Sequence, residues 1–480
     1  MSGPSAKLAC ALAIVASTSA APVTAVSVDP RGLGQVLLFP YYTVRTAGGG
    51  TYSTLFSVTN TTDDAKVVRI RFREGRNGRD LTNLDVYLAP SDSWAAAVVD
   101  QADGAALITN DASCTNPPLA GATPTVAFNN YAYSGSNSDG ADTSLDRTRE
   151  GYFEVFDLGV IRDAAVQAAL QQPRDCTAAR AVPLSNGTSI TTPSGGLMGS
   201  ASIVNVNAGT LYGYDAVALA RFTAAPLYGP IGSTQPSLSE VNPKTSRVLD
   251  ADGARDATWD VAKGANPADP VSAVLMADRV LNTYVLDAVT QSGTDWVVTM
   301  PTKTFYVPTG NVAPPSLFEH GFTAAGAADY FDNVADCVSS PPPTYGTNVF
   351  DREGRTSRGQ CFVLPPAPVR LDVAWTTNVL TFNGTRVLGS VLSTDLGTGF
   401  PPFIATSFAN GWMKISPYDY GPGKPHRLVS TDTPPVVIHG LPMIGFMANN
   451  YVNGTLEVAG RNVLSNYSAT SVHRYTVRME

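Results

Sequence analysis

Two short stretches hold the residue types from which a site for a hard cation could be built. Asn137-Ser138-Asp139-Gly140-Ala141-Asp142 and Asp250-Ala251-Asp252-Gly253-Ala254-Arg255-Asp256 set carboxylates around a glycine. Calcium takes several oxygens around such a sharp bend. Aligned on the glycine, however, the first ligand position holds Gly135 or Val248, and Asp146 or Trp259 replaces the closing glutamate. Plain Asp-Gly turns are the simpler account. Asp139, Asp142, Asp250, Asp252 and Asp256 therefore stand as calcium candidates second to that account, and no cofactor is expected.

Other residues point to polymers. Arg69, Arg71 and Arg73, with Arg76 and Arg79 close by, have the charge to hold an acidic polymer; a solvated strand face paired with Asp80 and Asp85 is the plainer expectation. Trp94, Trp296, Trp412 and the Tyr41-Tyr42 pair could stack on sugar rings, although a lone tryptophan in a sandwich defaults to the core. Glu154 and Glu319 are conceivable as the two carboxylates of a glycosidase, but nothing in their spacing selects them. There is no GxSxG elbow and no HExxH helix. His320, His426, His439 and His473 are isolated, and His439, after Val436-Val437-Ile438, reads as a core residue. No catalytic residue is assigned.

The N-terminus fixes where this chemistry would operate. Met1–Lys7 carries one positive side chain, Leu8–Ala16 is apolar, and Val23-Thr24-Ala25 satisfies the small-x-small rule of signal peptidase. Residues 1–25 thus read as a signal peptide, and the mature chain as exported to the periplasm, cell surface or medium. Of the 5 cysteines, Cys10 lies in this leader. Cys114, Cys176, Cys337 and Cys361 remain, an even set suited to disulfides in an oxidising compartment. Three pairings are open; Cys114–Cys176 with Cys337–Cys361 is favoured because each bridge then stays within one candidate domain. No CxxC accompanies them, which argues against a cysteine metal site.

The net charge of −8 makes nucleic acid or an anionic membrane an unsuitable partner. No later stretch approaches the apolar length of a spanning helix. An apolar fraction of 44% with 42 glycines and 35 prolines suits many short strands joined by turns. Lys66–Arg73 alternates: Val68, Ile70 and Phe72 face one way and the three arginines the other, the pattern of a strand with one wet face. Tyr52–Asn60, Asn83–Leu88 and Trp94–Val99 are neighbouring strands at turn-separated spacing. Gly151–Leu158, Gly199–Val206 and Thr210–Tyr214 follow, with a short helix at Asp163–Gln171 capped by Asp163. Strands resume at Asn282–Ala288, Trp296–Met300, Lys303–Val307, Val379–Phe382, Arg386–Leu392, Trp412–Ile415 and beyond, ending at Val472–Val477.

This spacing predicts an all-β protein of two immunoglobulin-like β-sandwich domains with long loops and few short helices. The N-terminal domain spans 26–225, a linker or long excursion 226–270, and the C-terminal domain 271–480. The final strand closes its own sheet or pairs with a second copy, since an open edge invites addition.

Val36-Leu37-Leu38-Phe39-Pro40-Tyr41-Tyr42-Thr43-Val44, Pro193-Ser194-Gly195-Gly196-Leu197 and Thr294-Asp295-Trp296-Val297-Val298-Thr299 carry a family resemblance. With 54–73, 85–94 and 192–214 they make most of the mature chain resemble secreted proteobacterial β-rich proteins labelled as surface proteins and otherwise uncharacterised. The resemblance implies export and β structure and brings no catalytic residues. The expectation is an exported, non-enzymatic structural or adhesive protein of the cell surface or extracellular space, with self-association or a cell-surface polymer as its partner. A carbohydrate-binding or carbohydrate-active protein is the alternative.

Overall fold

The N-terminal half is built from β1 (Val36–Thr43), β2 (Ser53–Asn60), β3 (Lys66–Glu74), β4 (Asp80–Leu88), β5 (Ser93–Gln101), β6 (Gly104–Ile108), β7 (Glu150–Ile161), β8 (Leu197–Asn205), β9 (Thr210–Asp215) and β10 (Val217–Ala220). The computed structural model describes residues 25–119, 124–307, 317–318, 329–332, 349–355, 370–373, 375–392, 403–404, 406–417 and 426–480. One antiparallel sheet runs β10-β1-β7-β3-β4, and the other β6-β5-β2-β8-β9. Strand alternation turns Leu37, Phe39, Ile70, Phe72 and Phe153 of the first toward Phe56, Trp94 and Ile203 of the second. Phe39 stacks on Phe153 at 4.1 Å, while Phe56 meets Trp94 edge-on at 5.7 Å.

The far face of the first sheet departs from expectation. Arg69, Arg71 and Arg73 are not on a wet face; they are 0%, 1% and 7% exposed. A second apolar layer covers that side, joining Phe156, Leu158 and Ile161 to Phe222, Leu238 and Val271. The physical reason for the burial is hydrogen bonding. Arg69 donates to both Asp85 oxygens at 2.7 and 2.9 Å, and to the carbonyls of Gly229, Pro230 and Gln235 at 2.8, 3.1 and 2.6 Å. Arg71 grips Asp80 through two 2.7 Å bonds and donates to the carbonyls of Thr234 and Pro236. A guanidinium offers five donors, so a carboxylate and a row of carbonyls can replace its water. The 229–236 stretch, inside the 226–270 excursion, is thereby fastened over the sheet by its backbone.

Three α-helices lie among the described residues: α1 (Ala164–Ala169), α2 (Cys176–Ala181) and α3 (Asp269–Leu275). The Asp163 side chain accepts from the Ala165 and Val166 amides and caps α1 as anticipated. Cys176 at the start of α2 is disulfide-bonded to Cys114, 62 residues away, which agrees with the favoured pairing. Cys337 and Cys361 lie outside the described residues. The Cys114→Ser/Cys176→Ser double variant is expected to lose about 4 kcal/mol of unfolding free energy in a urea titration, the chain-entropy value for this separation. A loss under about 1 kcal/mol would show that the bridge spans an already ordered region.

The C-terminal half contains the hairpin β11 (Thr245–Asp250) and β12 (Gly253–Thr258), then β13 (Arg279–Val285), β14 (Gly293–Thr299), β15 (Thr377–Phe382), β16 (Asn410–Pro417), β17 (Ile444–Tyr451), β18 (Thr455–Val458), β19 (Arg461–Leu464), β20 (Tyr467–Val472) and β21 (Arg474–Thr476). One sheet is ordered β15-β14-β17-β20 and another includes β16-β13-β21. Trp296, Leu380 and Met447 share a core with Val280, Tyr284, Met413 and Ile415. Two expected strands are absent. Lys303–Phe305 is a 3-10 turn, after Pro301. Residues 386–392 turn because Arg386 and Gly389 both take left-handed backbone, φ 46° and 65°.

The halves share a core. Val297, Val379, Phe446 and Ala448 belong to the same buried cluster as Tyr41 and Tyr214, with Tyr214 stacked on Phe446 at 4.6 Å. Beside β9, Ser468 of β20 accepts from the Leu211 amide and donates to the Leu211 carbonyl, at 2.8 and 2.7 Å. The segment expected as the final strand splits at His473 between β20 and β21, each paired within this chain. The β18–β19 hairpin stands clear, with all eight residues exposed.

Candidate functional site

The turn after β3 reads Gly75-Arg76-Asn77-Gly78-Arg79, and Glu74 folds it. The Glu74 carboxylate, fully buried, accepts from the amides of Arg76, Asn77 and Arg79 at 2.7, 2.8 and 3.0 Å. Gly78 takes φ 65°, and a Cβ there would sit 2.7 Å from Thr304 Cγ2 and 2.9 Å from the Tyr152 hydroxyl. Only glycine suits both the backbone and the space.

This turn walls a cleft of about 590 Å³. Arg73, Asn77, Arg79 and Asp80 come from β3, the turn and β4; Ser136, Asn137 and Ser138 come from the following loop, Thr234 from the covering stretch, and Thr304 from the C-terminal half. The floor is ionic. Arg73 donates to Glu154 at 3.0 Å and approaches Asp80 at 3.5 Å. Burial raises the Asp80 carboxyl, but the charges of Arg73 and Arg71 outweigh it and hold the group below the ordinary carboxylate range. Arg147 bridges Glu74 and Asp139 at 3.1 and 2.9 Å, its guanidinium 4.1 Å from the Tyr133 ring centre.

Among the described residues several buried polar atoms here lack hydrogen-bond partners: Asn77 Oδ1, Tyr152 OH, Glu154 Oε1 and Arg71 Nε. Each costs free energy unless something polar reaches it. Arg79, partly exposed on the wall, has no ion pair or side-chain hydrogen bond among the described residues; its charge is felt by Asp80. Arg73 faces Glu154, Arg71 faces Asp80, and Arg147 faces two carboxylates. Arg79 balances the four carboxylates by count but, among the described residues, its side chain touches none of them.

The structure scatters the calcium candidates. Asp139 is engaged by Arg147 and Asn77, and Asp142 caps Ser144 through its amide and hydroxyl. Asp250 accepts from the Asp252 and Gly253 amides in the β11–β12 turn, and Asp256 pairs with Arg247 at 2.7 Å. Among the described residues no three His, Cys, Asp or Glu side chains gather as a metal ion requires.

The aromatic candidates divide as well. Trp94, Trp296, Tyr41 and Tyr42 are fully buried, and Trp412 stacks on Phe350 at 4.2 Å. Tyr131, next to the cleft residue Ala132, is an exposed ring instead, 75% accessible, as is Tyr467 at 61%. Glu154 is fully buried behind the cleft-lining Arg73, which donates to it, whereas Glu319 and His320 lie outside the described residues. His473 accepts from Asn282 and donates to the Val297 carbonyl, and burial pushes it down to about 4, so it is neutral at pH 7. His439 sits between Arg478 and Glu480, partly exposed and away from a core position.

A second polar defect lies at the seam between the halves. Asp295 on β14 accepts from the Leu388 amide at 2.8 Å through Oδ2, while its Oδ1, Tyr212 OH and Thr210 Oγ1 lack partners among the described residues. Burial raises the Asp295 carboxyl to about 6. Neither defect is legible in the sequence, since each joins residues far apart along the chain. No family model matches this sequence, and neither a curated protein nor a solved structure matches it.

Proposed function

We propose that this is an exported, non-enzymatic protein of the cell surface or extracellular space, with two immunoglobulin-like β-sandwiches, that holds a surface polymer in the cleft beside Gly75–Arg79. The observation that carries the reading is the set of hydrogen-bonding groups lining the cleft, among them Asn77, Arg79, Ser138, Thr234 and Thr304. Both Asp80 oxygens are held by Arg71, with Arg73 3.5 Å away, so this carboxylate is fixed in place as part of the wall. The signal-like leader and the resemblance to secreted proteobacterial surface proteins support the same reading.

The test is retention against turnover. Purified mature protein mixed with isolated cell-envelope polysaccharide is expected to co-sediment with it and to leave its chain length unchanged by size-exclusion chromatography. Shortening of the polymer, abolished by Glu154→Gln, would establish the carbohydrate-active alternative; no retention would refute the binding role. Fractionation of cells making a C-terminally tagged chain checks export, with the tag expected outside the cytoplasm.

A further inference from the structure

The charge inventory of the cleft defines its ligand more closely. We propose that the cleft takes a saccharide bearing an anionic group, with Arg79 pairing that group and Asn77 and its neighbours meeting the hydroxyls. This inference rests on the reading of the cleft as a binding site. Four observations carry it. Arg79 faces the cavity with no ion pair or side-chain hydrogen bond among the described residues, whereas Arg71, Arg73 and Arg147 each have a carboxylate. A guanidinium presents a planar fork that matches a carboxylate or sulfate through two parallel hydrogen bonds.

Asn77 is 2% exposed, and its Oδ1 accepts from no group among the described residues although the residue lines the cavity. A ligand hydroxyl can supply that donor. Ser138, Thr234 and Thr304 add hydroxyls on three separate walls, and Asp80 adds an ionised acceptor. Such mixed donors and acceptors fit alternating sugar hydroxyls. Finally, about 590 Å³ exceeds what a lone carboxylate or sulfate fills and lies in the range of small-molecule sites. The anionic group has two sources, a uronic acid or a sulfate ester, which share the chemistry that Arg79 recognises.

Isothermal titration of the mature chain against three probes tests this: a tetragalacturonate, the same oligomer with its carboxyls methyl-esterified, and a sulfated neutral tetrasaccharide. At least one acidic probe is expected to bind about tenfold more tightly than the ester, the worth of one charge-assisted fork in a partly open site. Which acidic probe binds identifies the source. Arg79→Gln should abolish that preference while ester binding persists, and Asn77→Ala should weaken all binding probes; Arg461→Gln, on the distant exposed β19, should do neither. Arg79 is partly exposed, so unchanged thermal unfolding of Arg79→Gln separates lost recognition from lost folding. Equal binding of acid and ester, or a preference that survives Arg79→Gln, overturns the anionic assignment and leaves the binding site standing. Failure of all three probes overturns the saccharide ligand, while retention of envelope polymer remains a separate readout of the binding role.

Discussion

The Arg69→Ala protein is expected to lose about 3–5 kcal/mol of unfolding free energy, the usual cost of removing one partner of a buried ion pair. Burial raises the Asp85 carboxyl while the hydrogen bonds from Arg69 oppose it. Without the guanidinium the acid loses both donors, and the carbonyls of Gly229, Pro230 and Gln235 lose theirs. Urea denaturation measures the loss. Limited proteolysis locates it, because 229–236 should be cut at protease levels that spare the parent. Arg69→Lys should recover little, since an ammonium has three donors and no fork. A loss below about 1 kcal/mol with the stretch still protected would show that something other than Arg69 holds it down.

Asp295→Asn should act in the opposite direction and stabilise the protein at neutral pH. The carboxyl rises from 3.8 in the unfolded chain to about 6 in the fold, because burial penalises its charge. Below about pH 3.8 both states hold the proton and the group is neutral with respect to stability. Between about 3.8 and 6 the unfolded chain releases its proton first, so stability falls as pH rises, and above about 6 the loss is complete. A shift of that size corresponds to about 3 kcal/mol. Asparagine can still accept from the Leu388 amide, and its NH₂ can donate toward the unpartnered neighbours. The difference in stability between variant and parent should therefore open between pH 4 and 6 and then stay constant. Equal pH profiles for the two proteins would mean that the charge is solvated in solution.

Local signals in the sequence were sound, and long-range covering was hidden. The Asp163 cap and the β3 alternation depend on residue type and spacing, so they could be read directly, whereas the Cys114–Cys176 bridge was the favoured one of three open pairings. The β3 arginines were misread because a period of two reports which residues share a face, not what lies on it. Asp80 and Asp85 hinted at pairing, but the decisive acceptors are carbonyls of 229–236, and backbone carbonyls leave no mark in residue identity. Lys303–Val307 had a strand-like composition and lost to Pro301. The cleft was legible only in part: Arg79 was placed in the basic stripe, but its lack of a partner appears only once the partners of Arg71, Arg73 and Arg147 are known. Cys337, Cys361 and Glu319 lie outside the described residues, so those expectations stand as they were.

The grip on 229–236 falls mostly on the main chain, with the Ser233 hydroxyl as a side-chain acceptor at 3.3 Å. Arg69 and Arg71 hold main-chain oxygens, which every residue type supplies equally, and they hold several at fixed intervals. Apart from Gly232, whose φ of 78° favours glycine, and Ser233, the stretch can exchange residues with little penalty to these bonds, while insertion or deletion of a single residue would slide the oxygens off their donors. The seal over the sheet is therefore set by how many residues lie between the held oxygens more than by which residues they are.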